Sequence, residues 1–301
     1  MLVLPVFVLL GTLAVVGARP QPAESKFQRL VVFGDSFSDN GNGTYKLTNE
    51  TWPADHAYYD GRFSSGPVWP EYLATDFLRV PLLDYAHGGA TIDNKIVPGY
   101  TGANSDILVP SVADQVDRYL ANGIMGMNKK SRGKTVVALV AGINDAFFAG
   151  DVDVRKLTDS LVASIEKLVD HDFKTFVVPT TQAGAWLPYY RFFTSAEKIK
   201  AQETFSAQFH SNLAKSLRAA NLPRAVKVKQ WDEENAVKLI IQRARQRGDD
   251  PDTACLKGAY GEAQRDLCND PKHHVFFDIF HPSTETHMKI AMSVMKALLA
   301  H

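Results

Sequence analysis

The stretch VVFGDSFSDNGN, residues 31–42, ends a strand-like apolar run at Gly34 and then presents Asp35, Ser36 and Asp39 in quick succession. Such residues are ordinary in any strand-to-loop turn. A serine at the end of a buried strand is also where a nucleophile can sit, and its hydroxyl attacks only when a neighbouring base takes its proton. The chain offers that base near its end. FFDIFHPST, residues 276–284, sets Asp278 three residues before His281, with Pro282 ahead of the last helix. At this spacing the carboxylate can accept from imidazole Nδ1 and leave Nε2 facing the serine. In isolation the same pair reads as a helix-start cluster. None of His56, His87, His171, His210, His273, His274 and His287 is both preceded by Asp at that spacing and followed by proline.

Acyl transfer also needs donors for the oxyanion of its tetrahedral intermediate. Backbone N–H groups at Ser36 and Gly88 and the side-chain amide of Asn144 are suitable donors in HGGAT (87–91) and GIND (142–145). Each has a plainer reading: Gly88 and Gly89 as a loop needing positive φ, Asn144 as a turn residue.

These clusters can converge only if an ordered scaffold brings them together. Apolar, β-branched runs recur at 29–34, 81–86, 135–142, 174–180 and 225–230, the pattern of strands buried on both faces. Segments of helical period lie at 111–122, 153–170, 195–220, 232–247 and 284–300. The alternation predicts one α/β domain with a five-stranded parallel sheet covered on both sides by helices. In such sheets the site lies beyond the carboxyl ends of the strands, where Ser36, Gly88 and Asn144 all follow a strand. The insertion from Gly43 to Gly66 carries Tyr45, Trp52, Tyr58, Tyr59 and Phe63 and is expected to form a binding wall. Trp186, Pro188, Tyr189 and Tyr190 could stack on sugar rings or pack under a helix.

Lys plus Arg equals Asp plus Glu, 33 against 33 in 301 residues, so net charge gives no reason to expect nucleic acid or an acidic membrane surface as partner. Residues 1–18, MLVLPVFVLLGTLAVVGA, are uncharged and end in a small-x-small pattern. They are expected to be a signal peptide cleaved after Ala18, leaving residues 19–301 as a secreted domain without stable membrane association. Asn42 and Asn49 each open an N-glycosylation sequon. The only two cysteines, Cys255 and Cys268, are expected to close a disulfide in an oxidising compartment. Two cysteines alone offer too few ligands for a metal site, and no metal or cofactor is expected.

GDSFSDNGN, GGAT, GIND and DIFHP, in this order, resemble the four sequence blocks of the SGNH or GDSL esterase/lipase superfamily, across roughly residues 29–300. GRFSSGPVWPEYLA (61–74) resembles the stretch that follows the first block in secreted and plant members. The resemblance implies a flavodoxin-like three-layer fold, Ser36 as nucleophile, His281 as base and Asp278 as its orienting acid. It implies Ser36, Gly88 and Asn144 as the oxyanion hole, with Gly89 replacing Gly88 if the alignment shifts by one residue. Within the superfamily the chain looks most like the secreted acetylesterases of carbohydrate esterase family sixteen. The expected substrate is therefore an acetylated oligosaccharide or other small ester. A lipase or phospholipase on the same fold is the alternative, and a glycan-binding protein without turnover a third reading.

Overall fold

In the computed structural model, which describes residues 26–149 and 151–300, the five expected runs form one parallel sheet. Its strands are β1 (Arg29–Gly34), β2 (Leu82–Asp84), β3 (Thr135–Val140), β4 (Thr175–Pro179) and β5 (Lys227–Trp231). They lie in the order β2-β1-β3-β4-β5, with every neighbouring pair parallel. This is the flavodoxin-like winding, whose direction reverses between β1 and β3 and opens a crevice at their carboxyl ends. β1 and β3 pair without interruption from Arg29↔Thr135 to Gly34↔Val140, which brings the residues after Gly34 beside those after Val140.

Seven helices matter for the site and its support. They are α1 (Trp69–Tyr72, running on as a π-helical stretch Leu73–Leu78), α2 (Val112–Arg118), α3 (Ile143–Ala149), α4 (Val154–Asp170), α5 (Ala196–Ala219), α6 (Glu233–Arg247) and α7 (Thr284–Leu299). Alternation along the strands sorts side chains to the two faces. Leu30, Val32, Val136, Ala138 and Val177 pack with α1, α6 and α7. Val31, Phe33, Val137, Leu139, Phe176 and Val178 pack with α2, α4 and α5. These are the two cores of the expected three-layer sandwich.

The structure departs from the sequence reading at the periphery. β5 is an edge strand in which only Trp231 is buried, and its lysines belong to a solvated edge. The helices α1 and α3 and two short strand pairs had no distinct periodic signal. Leu256–Lys257 pairs antiparallel with Asp266–Leu267 inside the loop between the cysteines, and Asp250–Ala254 pairs parallel with His274–Phe276. Among the described residues no helix is long and apolar enough to cross a membrane. The expected leader, residues 1–18, lies outside the described residues.

Candidate active site

At the end of β1 a side chain joins the backbone bonding of Gly34, whose carbonyl also accepts from His87 N–H at 3.0 Å. Gly34 N–H donates to Gln115 Oε1 at 2.9 Å, and Gln115 Nε2 donates to Gly34 O at 3.0 Å. The chain then turns: the Asp35 carbonyl accepts from the amides of Ser38 and Asp39, both at 3.0 Å, and Asp35 Oδ1 accepts from Phe37 N–H at 3.0 Å. Ser36 is left in a cleft, with its hydroxyl unused by the turn.

That hydroxyl meets His281, whose Nε2 lies 2.9 Å from Ser36 Oγ. His281 Nδ1 lies 2.9 and 2.8 Å from Asp278 Oδ1 and Oδ2. Asp278 Oδ1 also accepts from the amides of Phe280 and His281, each at 2.7 Å, while Oδ2 accepts from the Tyr58 hydroxyl. The three residues expected from sequence are thus brought into one hydrogen-bonded series. Their burial is nearly complete, with Asp278 0 % and His281 4 % exposed. The His281 ring is walled by Phe63, Tyr260, Phe37 and Phe280. Burial pushes the Asp278 carboxyl up, but the charge and hydrogen bond of His281 and the Tyr58 hydroxyl hold it below the usual carboxylate range.

Of the expected oxyanion donors, two reach the cleft and one does not. Among the described residues no group takes the Ser36 amide. Asn144 lines the cleft beside it and donates one N–H from Nδ2 to Ala90 O at 2.9 Å, leaving the second N–H of its amide. Gly88 is the correction. Its N–H donates to Asp39 Oδ2 at 3.0 Å, and Gly89, not Gly88, lines the cleft. Gly89 has φ +88°, and a Cβ there would stand 2.0 Å from Tyr100 O, so only glycine fits this turn. No described group takes the Gly89 amide.

The cleft has a volume of about 120 Å³ and is lined largely by apolar and aromatic side chains, among them Trp52, Phe63, Ile143, Phe147, Tyr260 and Phe280. The aromatic insertion divides by role. Trp52 and Phe63 line the cleft, Tyr58 lies behind Asp278, Tyr45 packs on Gly61, and Tyr59 is exposed under Arg62. The second aromatic cluster divides too. Tyr190 and Leu187 line the cleft, Tyr189 packs between Phe147 and Phe280, and Trp186 bonds Glu234 of α6.

The parts that Gln115, Asp39 and Asp145 play in holding the site together were not read from the sequence. Gln115 bonds the backbone at the end of β1. Asp39 gathers the amides of Gly41, Gly43, Thr44 and Gly88, and Asp145 takes the Ile92 amide on both oxygens at 3.2 Å. The Asp-x-x-x-Gly spacing hinted at the local part of Asp39's work, but its bond to Gly88 spans 49 positions. Burial lifts the Asp35 carboxyl to about 7, against the opposing pull of the Phe37 amide and the His281 charge, and pushes Asp145 well up. Burial pushes the His87 imidazole down, and its Nδ1 lies 2.8 Å from Tyr85 O. Burial beside His281 pushes His287 down to about 3. The cysteines form the expected disulfide. His274 Nδ1 is 3.6 Å from Cys268 Sγ, but disulfide sulfurs are not the thiolates a metal requires.

A serine, imidazole and carboxylate in series at the carboxyl edge of a parallel sheet, beside untaken amide donors, have the arrangement of a serine-type acyl hydrolase. The family model for GDSL-like Lipase/Acylhydrolase matches residues 30–294. The chain belongs to this family. It is 26 % identical over 293 residues to the thermolabile hemolysin of Vibrio parahaemolyticus, covering 93 % of this chain and 65 % of that protein. It thus spans less than two thirds of the hemolysin's length. It is 28 % identical over 258 residues to the phosphatidylcholine-sterol acyltransferase of Aeromonas hydrophila, covering 82 % of this chain and 72 % of that protein. Similarity to the acetylesterase of Hypocrea jecorina, 29 % over 157 residues, covers 50 % of this chain and 43 % of that protein.

Proposed function

We propose that the chain hydrolyses short-acyl carboxylic esters, with acetyl groups on carbohydrates as the natural substrate class. Ser36 Oγ attacks the ester carbonyl as its proton passes to His281 Nε2. The C–O bond to the alcohol breaks, and His281 returns the proton to the departing oxygen. Water then attacks the acyl-serine, losing its proton to His281; the bond from the acyl carbon to Ser36 Oγ breaks as His281 returns that proton to Oγ, and the acid and free serine result. Asp278 keeps His281 in the tautomer with a proton on Nδ1. The oxyanion is held by the amides of Ser36 and Gly89 and by Asn144 Nδ2, with Gly88 serving the loop instead.

The size of the cleft carries the acyl-length reading. About 120 Å³ beside Ser36 is well below the roughly 300 Å³ at which pockets for drug-sized ligands begin, so it suits an acetyl group and not a lipid chain. The rings of Trp52 and Tyr260 supply flat apolar surface of the kind on which sugar faces pack.

One observation favours a lipid substrate instead. A second, larger apolar groove of about 590 Å³ shares Tyr260 with the cleft and is lined also by Phe192, Phe193 and Ile279. Two of the relatives matched over most of this chain are named thermolabile hemolysin and phosphatidylcholine-sterol acyltransferase. The test is kcat/KM across 4-nitrophenyl acetate, butyrate and octanoate, with acetate release from acetylated oligosaccharides and fatty-acid release from phosphatidylcholine vesicles alongside. The short-acyl reading expects a fall from acetate to octanoate and release of acetate. A monotonic rise to octanoate, with no acetate released, replaces it with the lipase.

We further propose that residues 1–18 are removed as a signal peptide and that the remainder is one secreted domain. The Cys255–Cys268 disulfide and the exposure of both sequon asparagines, Asn42 and Asn49, support this reading. N-terminal sequencing of protein recovered from the medium should begin at Arg19.

A further inference from the structure

Asp278 is fully buried and, among the described residues, has no lysine or arginine hydrogen-bonded to it. Its Oδ1 is clamped by two backbone amides, of Phe280 and His281. On Oδ2, apart from His281 Nδ1, the one donor among the described residues is the Tyr58 hydroxyl. Without it Oδ2 would keep only His281 Nδ1, a buried acceptor would lose one of its two donors, and the carboxylate would be held less firmly against rotation about the Oδ1 clamp.

Tyr58 is itself held from outside the sheet. It lies in the insertion after β1, 220 positions from Asp278, with its ring edge-on to Phe63 and Phe277. The Arg265 guanidinium, from the loop between the two cysteines, lies 5.0 Å from its ring centroid and 5.9 Å from that of Tyr260. The Arg265 side chain is 1 % exposed, and its Nε is 3.7 Å from Asp55 Oδ2, three residues before Tyr58. Two insertions that contribute no strand to the central sheet therefore meet directly behind the acid of the triad. Burial and the neighbouring Asp278 charge raise the Tyr58 hydroxyl well above its ordinary range, so it remains a donor at any working pH.

We propose that Tyr58 is a positioning residue for the reaction: its hydroxyl fixes the Asp278 carboxylate against His281, and Arg265 fixes the Tyr58 ring. This rests on the triad reading given above. Imidazolium forms on His281 each time Ser36 loses its proton, and the rate of that step depends on how well Asp278 is aimed. Tyr58 is not among the residues that line the cleft, so its influence should fall on kcat and not on KM.

The experiment is a double-mutant cycle on 4-nitrophenyl acetate with Tyr58→Phe, Asp278→Asn and their combination, each checked for folding by circular dichroism. Tyr58→Phe removes one oxygen and should lower kcat about tenfold with KM within twofold. In the Asp278→Asn background the same substitution should change kcat by less than twofold, because interacting residues are non-additive when one acts through the other. An unchanged kcat in Tyr58→Phe, or an equal loss in both backgrounds, overturns the proposal. If Tyr58→Phe does not fold, Arg265→Lys keeps the charge but loses the planar group over the ring. It should lower kcat two- to threefold at unchanged KM, and no loss there also overturns the proposal. Asp278→Asn separates this from the underlying reading. If it retains near-native turnover the triad fails, whereas a crippled Asp278→Asn beside a normal Tyr58→Phe removes only the role of Tyr58.

Discussion

The sheet's carboxyl edge and the two insertions that cover it make different kinds of contribution. From the edge come the groups proposed to move protons and hold charge: Ser36 after β1, Gly89 after β2 and Asn144 after β3. From the insertions at 43–66 and 255–268 come Trp52, Phe63 and Tyr260, which shape the cleft, and Tyr58 and Arg265, which back Asp278. The edge is held by an uninterrupted parallel ladder from Arg29 to Gly34, the insertions by ring packing and a buried ion pair. Substitutions at the edge should therefore act on kcat and those in the cleft wall on KM, with Tyr58 and Arg265 the places where an insertion reaches back to kcat.

The largest test of that division is Ser36→Ala, which should cut kcat by about a million-fold, as removal of a triad serine does elsewhere, with the melting temperature preserved. Near-native turnover in Ser36→Ala would end the assignment. Next, Asn144→Ala should lower kcat by about a hundred- to a thousandfold, the usual effect of removing one oxyanion donor, with KM little changed. A change confined to KM would move Asn144 from the edge's role to the wall's. On the insertion side, Trp52→Ala should mainly raise KM, by about tenfold, since a ring that packs on substrate in ground and transition states alike contributes uniform binding. A pure kcat loss there would erase the distinction between edge and insertion.

The smallest expected effect concerns stability. Burial lifts Asp35 to about 7 and pushes Asp145 and Glu233 well up. Between about pH 4 and 7 the folded chain therefore keeps protons that the unfolded chain has released, and stability falls as pH rises through that window. Asp278, whose carboxyl is held low, acts oppositely: its contribution is present above its unfolded value and is lost only in stronger acid. His287, pushed down from 6.5 to about 3 by burial, opposes the raised carboxyls between those values. The three raised carboxyls outnumber it, so the melting temperature should be higher at pH 5 than at pH 7.5, and Glu233→Gln should shrink the difference. A melting temperature that rises equally with pH in both proteins would refute this account.

The same division explains what could be read from the sequence. Strands β1 to β4 carry dense apolar runs whose burial depends on local composition, and Ser36, Asp278 and His281 sit beside turn or proline signals that mark element ends. The insertions carry no period. Whether Tyr58 faces solvent, substrate or Asp278 depends on a contact 220 positions away, which no local pattern encodes. Gly88 and Gly89 show the same limit on a smaller scale. Both follow the second strand, and only the bond from Gly88 to Asp39 decides which amide is left for a ligand.

The loop bearing Tyr260 and Arg265 leaves and rejoins the body at nearly one point, for the Cα atoms of Cys255 and Cys268 are 4.9 Å apart. A segment whose ends nearly coincide can be exchanged for one of another length without moving β1 or β3. Closure entropy grows only with the logarithm of loop length, roughly 0.6 kcal/mol for each doubling. The cleft wall is in this sense a cassette. Cassettes that omit the arginine would change both the shape offered to the alcohol and the support behind the acid, so a change of substrate range made here would be coupled to a change in turnover.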